Sequence, residues 1–380
     1  MQVLMLADRS FARREQPMLR RLQVGLMDEG VRVVHAVPEV IADLETDSLT
    51  TSLTYADRGP WYAARARTRR LIRQIEELDP PLTHNNHGGA LDVVHAWGDG
   101  CWATAVDVAD ATGAGIALDL WSAASVSRMR SIEDRARAGS PDAIRGVWLA
   151  PNAALEQHAR TIAHTWPIRL SRWGVHPGEK PARRYESSDT RDRPLALSII
   201  SSGRSSTHMA PLLDALAALI NEGADLMIFL DAAAVEKHHS VWRHAERAGL
   251  LSRLSVIPDM ESRRALLLET DVLLLPDAQG EVRSVILDAM AAGIVVVAGA
   301  DPFVEVTATP NIALLIDQPA ADAWKSQLTR VVNDHAFLAQ VGRDAREQVH
   351  RNRPAHRHVE AILSGYRLLT EQQPIAFPVQ

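Results

Sequence analysis

The feature that most constrains this chain is an alternation of short aliphatic runs with helical stretches, carried through twice. Strand candidates in the first half are residues 3–7, 31–36, 92–95, 116–119 and 147–150, separated by amphipathic stretches at 18–29, 61–78, 102–111 and 132–138. A second series follows, with strands at 195–201, 226–230, 254–257, 272–275, 294–298 and 312–316. Its helices fall at 211–221, 233–249, 261–268, 283–292 and 322–333. This rhythm predicts parallel sheets flanked by helices. Residues 272–275 and 294–298 are almost purely aliphatic, as strands buried on both faces must be. Two closing helices, 335–350 and 355–370, are parted at Pro354.

A length of 380 residues exceeds what one hydrophobic core usually supports. The expected fold is α/β, with two tandem Rossmann-like, doubly wound domains facing a cleft. The boundaries read as 1–175 for the first domain, 176–193 for a linker rich in Gly, Pro and polar residues, and 194–350 for the second. The helix over 355–371 is expected to pack back on the first domain. Ligands of such sheets bind outside the carboxyl ends of the strands. Residues 79–90, with two prolines, two histidines and Gly88-Gly89, read as a loop.

Composition narrows the function. With 46% apolar and 23% charged residues the chain is ordinary for a globular protein. A net charge of −6 argues against a dedicated nucleic-acid binder. Cys101 stands alone, which excludes an internal disulfide and a cysteine zinc cluster. No apolar run approaches the roughly 18 residues that span a bilayer. The opening residues Met1 to Asp8 lack the basic start and cleavage site of an export signal, so a mature cytoplasmic chain is expected. Lys180, Lys237 and Lys325 are the only lysines among 41 basic residues, so anion contacts should come from planar arginine.

One segment carries more than fold. It runs Leu275-Pro-Asp-Ala-Gln-Gly-Glu-Val-Arg-Ser-Val-Ile-Leu-Asp-Ala-Met-Ala-Ala-Gly293 and then Ile294-Val-Val-Val-Ala298. The helix opening near Arg283 should present the amides of Arg283, Ser284 and Val285 unpaired, and a helix N-terminus is a ready anion site. With Trp173-Gly-Val-His-Pro177, Val94-His-Ala-Trp-Gly98 and Ser201-Ser-Gly-Arg204, this segment resembles the GT-B glycosyltransferases. The likeness is to the retaining, family 4-like enzymes called glycosyl transferases group 1, here with a degenerate catalytic motif.

The resemblance implies transfer of a sugar from a nucleoside diphosphate sugar to a glycan or lipid-linked acceptor, with no cofactor and no metal. It places the diphosphate against Gly203, Arg204, Arg283, Ser284 and Val285, the ribose on Asp288, and the base near Pro258. The family's first Glu lies eight positions before its second. Counting back from Asp288 reaches Gly280, so either a shortened loop brings Glu281 to the sugar or that carboxylate is missing. The family's lysine after Arg204 has no counterpart, and Trp121 stands near the place of a first-domain histidine. His95, Trp97 and Asp99 form the alternative polar group, with His95 the catalytic candidate and Trp97, Asp99 and Trp121 the acceptor contacts. These departures leave a second reading open: a GT-B-shaped protein that binds a nucleotide, a glycan or a protein partner without transfer.

Other clusters read more plainly. His84, His87 and His95, and the pair His238-His239, have no spacing that forces a metal site. Arg65, Arg67, Arg69, Arg70 and Arg73 follow Trp61-Tyr62 on one helix. They form either a face that meets anionic lipid at the inner membrane surface or a solvated arginine face.

Overall fold

The computed structural model describes residues 1–41, 50–58, 64–78, 91–139, 144–162, 164–176, 178, 193–201, 207–236, 239–305, 309 and 311–371. The chain forms two units. One holds Met1–Arg13, Leu19–Arg172 and His356–Gln380; the other holds Arg14–Met18 and Trp173–Ala355. The loop expected over 79–90 and most of the stretch expected as a linker lie outside the described residues.

The first unit follows the order β1 (Gln2–Ala7), α1 (Arg9–Asp28), β2 (Arg32–Pro38), β3 (Thr51–Tyr55), α2 (Ala64–Glu76), β4 (Val93–Trp97), α3 (Trp102–Thr112), β5 (Gly115–Asp119), α4 (Ala123–Val126), α5 (Met129–Gly139), β6 (Gly146–Ala150), α6 (Ala153–Arg160) and β7 (Ile168–Leu170). Its parallel sheet has the order β3-β2-β1-β4-β5-β6-β7, so the winding reverses between β1 and β4. The second unit continues with β8 (Leu195–Ile199), α7 (Met209–Asn221), β9 (Leu226–Asp231), α8 (Ala232–Glu236), α9 (His239–Arg247), β10 (Leu254–Ile257), α10 (Arg264–Leu267), β11 (Val272–Leu275), α11 (Ser284–Ala291), β12 (Val295–Gly299), β13 (Leu314–Ile316), α12 (Ala321–Asn333) and α13 (His335–Asn352). Its parallel sheet runs β10-β9-β8-β11-β12-β13, reversing between β8 and β11. The last helix, α14 (Ala355–Thr370), joins the first unit from His356 onward.

Several differences from the sequence reading have local causes. The amphipathic stretch expected at 18–29 is only the second part of a longer helix. In fact α1 opens at Arg9, where Asp8 accepts a hydrogen bond from the Phe11 amide at 2.8 Å. The proline is absorbed as a kink, with Glu15 at φ −102° and ψ 15°. The edge strands β3 and β7 escaped notice because one is half polar, Thr-Ser-Leu-Thr-Tyr, and the other has three residues. Helix α6 is announced only by its cap, Asn152, which accepts from the Leu155 amide at 2.8 Å. Within the stretch 233–249 the described helices are α8 and α9, and residues 237 and 238 lie outside the described residues.

Tryptophan anchors the first unit. Trp102 meets Trp148 edge-on at 5.2 Å between centroids, and Trp148 lies 5.6 Å from Trp166. Beneath them the buried Glu133 accepts from Trp148 Nε1 at 2.8 Å, the Thr165 amide and hydroxyl at 2.7 Å each, and the Trp166 amide at 3.1 Å. In the second unit, aliphatic residues of β8, β9, β11 and β12 pack against α7 and α12 around Trp324.

Candidate functional site

The strand-order reversal between β8 and β11 decides where a ligand meets the second unit. The turn after β11 passes through Gln279 and Gly280, both at positive φ, and enters α11 at Ser284. Ser201 beyond β8 donates to Asp277 beyond β11 at 2.7 Å, tying the two strand ends together. The Gly280 amide donates to Asp301 beyond β12 at 2.6 Å. Helix α11 is apolar nearly all round and buried, and it stops at Gly293, whose φ of 79° is costly for any other residue. Its register is thereby fixed at both ends.

The N-terminus of α11 has no side-chain cap of its own, since Arg283 occupies the cap position in extended conformation. The Ser284 amide instead points at both oxygens of Glu15, 3.3 Å from each, and the Ser284 hydroxyl donates to the same carboxylate. Residues 14–18 of α1 belong to the second unit by their contacts. The amide of Ser284 is therefore not unpaired as expected: a carboxylate from elsewhere in the chain holds it.

A charged knot surrounds this turn. Arg283 is almost wholly buried and donates from Nη1 to Glu261 at 3.1 Å and from Nη2 to Glu281 at 3.2 Å. Glu281 also takes Arg14 Nη1 at 2.9 Å. Arg264 donates through Nη2 to Ser284 Oγ at 2.8 Å and through Nε to Asp288 at 2.6 Å. Asp231, at the end of β9, accepts from the amides of Ala233 at 2.9 Å and Glu261 at 3.3 Å. Burial raises the Asp231 carboxyl to about 6. Burial, and then the charge of Glu261, raises Glu15 above its ordinary range, against the pull of Arg264 and the Ser284 hydroxyl. Burial alone would lower Arg283; the charges of Glu261 and Glu281 outweigh it and hold the guanidinium firmly protonated.

Of the expected donor residues, Arg283, Ser284, Val285, Asp288 and Glu281 are thus gathered along one turn and one helix. Their partners differ from the expectation: Arg283 grips carboxylates, and Asp288 grips Arg264. Pro258 is exposed beyond the edge strand β10. Gly203 and Arg204 lie outside the described residues. Arg264, Glu15 and Glu261 were not singled out from sequence. Glu15 and Ser284 stand 269 positions apart, so no spacing announces them. Beside Asp277 and Gln279 opens a cavity of about 160 Å³, bordered also by His208, Asp301 and Asp317.

In the first unit, His95 and Trp97 are interior. The His95 ring lies 2.7 Å through Nδ1 from the Tyr366 hydroxyl and 4.3 Å from the Trp97 ring, and burial lowers its pKa so that it stays neutral. Neither side chain presents a surface to an acceptor, because both are enclosed between the sheet and α14. Trp121 is likewise buried, edge-on to Phe11 at 6.1 Å. Asp99 is a quarter exposed and paired with Arg128 at 2.6 Å, so it alone of this group faces solvent. Gly98 leaves room for Asp8, which accepts the Gly100 amide at 3.0 Å. On α2 the buried residues are Thr68, Leu71 and Ile75, with Arg65, Arg69, Arg70 and Arg73 exposed. Among the described residues no three His, Cys, Asp or Glu side chains are gathered for a metal ion, and no helix is long and apolar enough to cross a membrane.

Comparison with known proteins now adds to the geometry. Residues 212–348 match the family described as Glycosyl transferases group 1. No curated protein matches the sequence. The fold matches a sucrose-phosphate synthase from Thermosynechococcus elongatus, at TM-score 0.71 and 13% identity, covering 97% of this chain and 99% of that one. It also matches HepE from Anabaena in complex with UDP and glucose, at TM-score 0.70 and 12% identity over 96% and 98% of the two chains. A glycosyltransferase from Rickettsia africae matches at TM-score 0.67 and 13% identity over 98% and 99%. The architecture is that of two Rossmann-like domains, GT-B.

Proposed function

We propose that this chain, whose residues 212–348 match the family described as Glycosyl transferases group 1, transfers a sugar from a nucleoside diphosphate sugar to a glycan or lipid-linked acceptor, with retention of configuration. The observation that carries the reading is the start of α11 at the strand-order reversal, where the Ser284 amide and hydroxyl donate to the Glu15 carboxylate and the Arg264 guanidinium stands 3.9 Å from it. Support comes also from HepE, a structural match that binds UDP and UDP-glucose.

In this reading the diphosphate lies against Ser284, Val285 and Arg264, and the ribose hydroxyls meet Asp288. As the bond from the sugar to the diphosphate breaks, negative charge collects on the leaving group. A fixed guanidinium and a helix N-terminus stabilise that charge without reorganising. Arg264 then supplies the cation for which no lysine was found. Arg283 acts one step back, fixing Glu281 and Glu261 in place. Excluding water from the site protects the donor from hydrolysis.

A second reading, nucleotide or glycan binding without transfer, draws on the state of Glu281, which is buried and held by both Arg14 and Arg283. One experiment separates the two. The protein is incubated with UDP- and GDP-sugars and acceptor extracts, released nucleoside diphosphate is measured, and the anomeric form of any product is read by NMR. Release with a retained anomer supports transfer. Saturable nucleotide binding with no turnover on any donor selects the second reading.

A further inference from the structure

The start of α11 is filled by the chain itself. The Glu15 carboxylate takes the Ser284 amide and hydroxyl, and Arg264 Nη2 stands 3.9 Å from it. These are the groups the preceding section gives to the donor's phosphate. We propose that Glu15 is a built-in stand-in for that phosphate, and that a nucleoside diphosphate enters the site by displacing its carboxylate. The proposal rests on the donor-binding reading and extends it to how the site opens.

Three observations carry it. First, the knot has a donor that a carboxylate does not use. Arg264 Nη1 is buried and has no hydrogen-bond partner among the described residues. A buried guanidinium N–H left unpaired is costly, and a diphosphate, richer in acceptor oxygens, could engage it.

Second, Glu15 is held weakly for a buried carboxylate. Arg14, Arg264 and Arg283 attract it, while Glu261, on the segment leading into α10, repels it. Glu281 and Asp288 crowd the same knot through their own arginines. A group that burial and a like charge both disfavour is readily exchanged for a better anion.

Third, the backbone at Glu15 is already broken. Its φ and ψ are non-helical, and Pro17 lacks the N–H that would continue the ladder. The segment 14–18 can therefore shift without unzipping the remainder of α1.

The test measures the affinity of UDP, GDP and pyrophosphate for the intact protein and for Glu15→Gln, which keeps the shape and loses the charge. Calorimetric titration at pH 7.5 should show at least about tenfold tighter binding to the variant. The donor KM should fall by a similar factor with kcat little changed. Equal or weaker binding by a variant that melts at the same temperature overturns the proposal and leaves the donor site standing. Binding by neither protein to any of the three probes overturns the donor site, and the stand-in with it. Should Glu15→Gln fail to fold, Glu15→Asp withdraws the carboxylate by one methylene and is expected to move affinity the same way. Unchanged affinity there is equally decisive against the proposal.

Discussion

Arg264 Nε lies 2.6 Å from Asp288, while the same guanidinium reaches Ser284 Oγ at 2.8 Å. One planar fork thus joins the first residue of α11 to the middle of that helix. A lysine ammonium has no planar fork with which to reproduce these two contacts from separate nitrogens. Arg264→Lys should weaken UDP or GDP binding by about tenfold to hundredfold, equivalent to about 1.4–2.7 kcal/mol. The melting temperature should move little, since the pair is partly exposed. Titration calorimetry beside a thermal melt checks both.

Asp288→Asn keeps the side-chain shape and loses the charge. If Asp288 accepts from the ribose diol, the variant should bind nucleoside diphosphate about tenfold more weakly than the parent, and pyrophosphate equally well. Comparing the two ligands isolates the ribose contact from the phosphate contact.

The Asp231 carboxyl is raised by burial to about 6, above its unfolded value of about 3.9. Its neutral form is the one the fold prefers. Its contribution to stability is therefore complete below pH 4 and lost as pH rises through 6. Asp231→Asn should flatten that part of the stability profile and raise the midpoint of urea unfolding at pH 7.5 more than at pH 4.5. Unfolding curves at the two pH values decide it.

Glu133 behaves in the opposite sense. Burial pushes its carboxyl up, but hydrogen bonds from Trp148, Thr165 and Trp166 outweigh it and leave the pKa below the ordinary value. The stability it gives is present above about pH 4.3 and lost as pH falls further. Glu133→Ala strands those donors and should cost about 2–3 kcal/mol in a neutral-pH denaturant titration.

Gly98 has φ 86°, and a Cβ placed there would strike the Asp8 carboxylate. Gly98→Ala should destabilise the first unit by about 2 kcal/mol, combining strain with overpacking. Asp8→Ala in the same chain should return part of that loss, a coupling that a double-mutant cycle measures.

The sheet interiors were legible in the sequence. Residues 272–275 are a strand to the residue, because a strand enclosed on both faces leaves an unbroken aliphatic run. The edge strands β3 and β7, one half polar and the other three residues long, leave no such trace and went unseen, although the edge strand β10 was read as 254–257. Helix α11 was read within one residue from its Ala-Met-Ala-Ala-Gly293 ending, since a left-handed stop demands glycine. What sits at the start of that helix was not legible. Glu15 looks like a surface helix charge, and Arg264 is one of 41 basic residues. Their importance comes from folding that brings residues 15, 264 and 284 to one place. His95 and Trp97 misled for a related reason: polar and aromatic residues at a strand's end look ligand-facing until α14 is seen to cover them.

That covering helix has a consequence for biosynthesis. Val359 lies against Gly25, Tyr366 against His95 and Leu369 against Gly115, so the unit that holds β1 is completed by α14. During translation the segment in between is fully emerged while its predecessor still waits for a missing wall. A nonsense codon between Ala355 and Tyr366 would therefore damage the first unit and spare the portion made just before the stop.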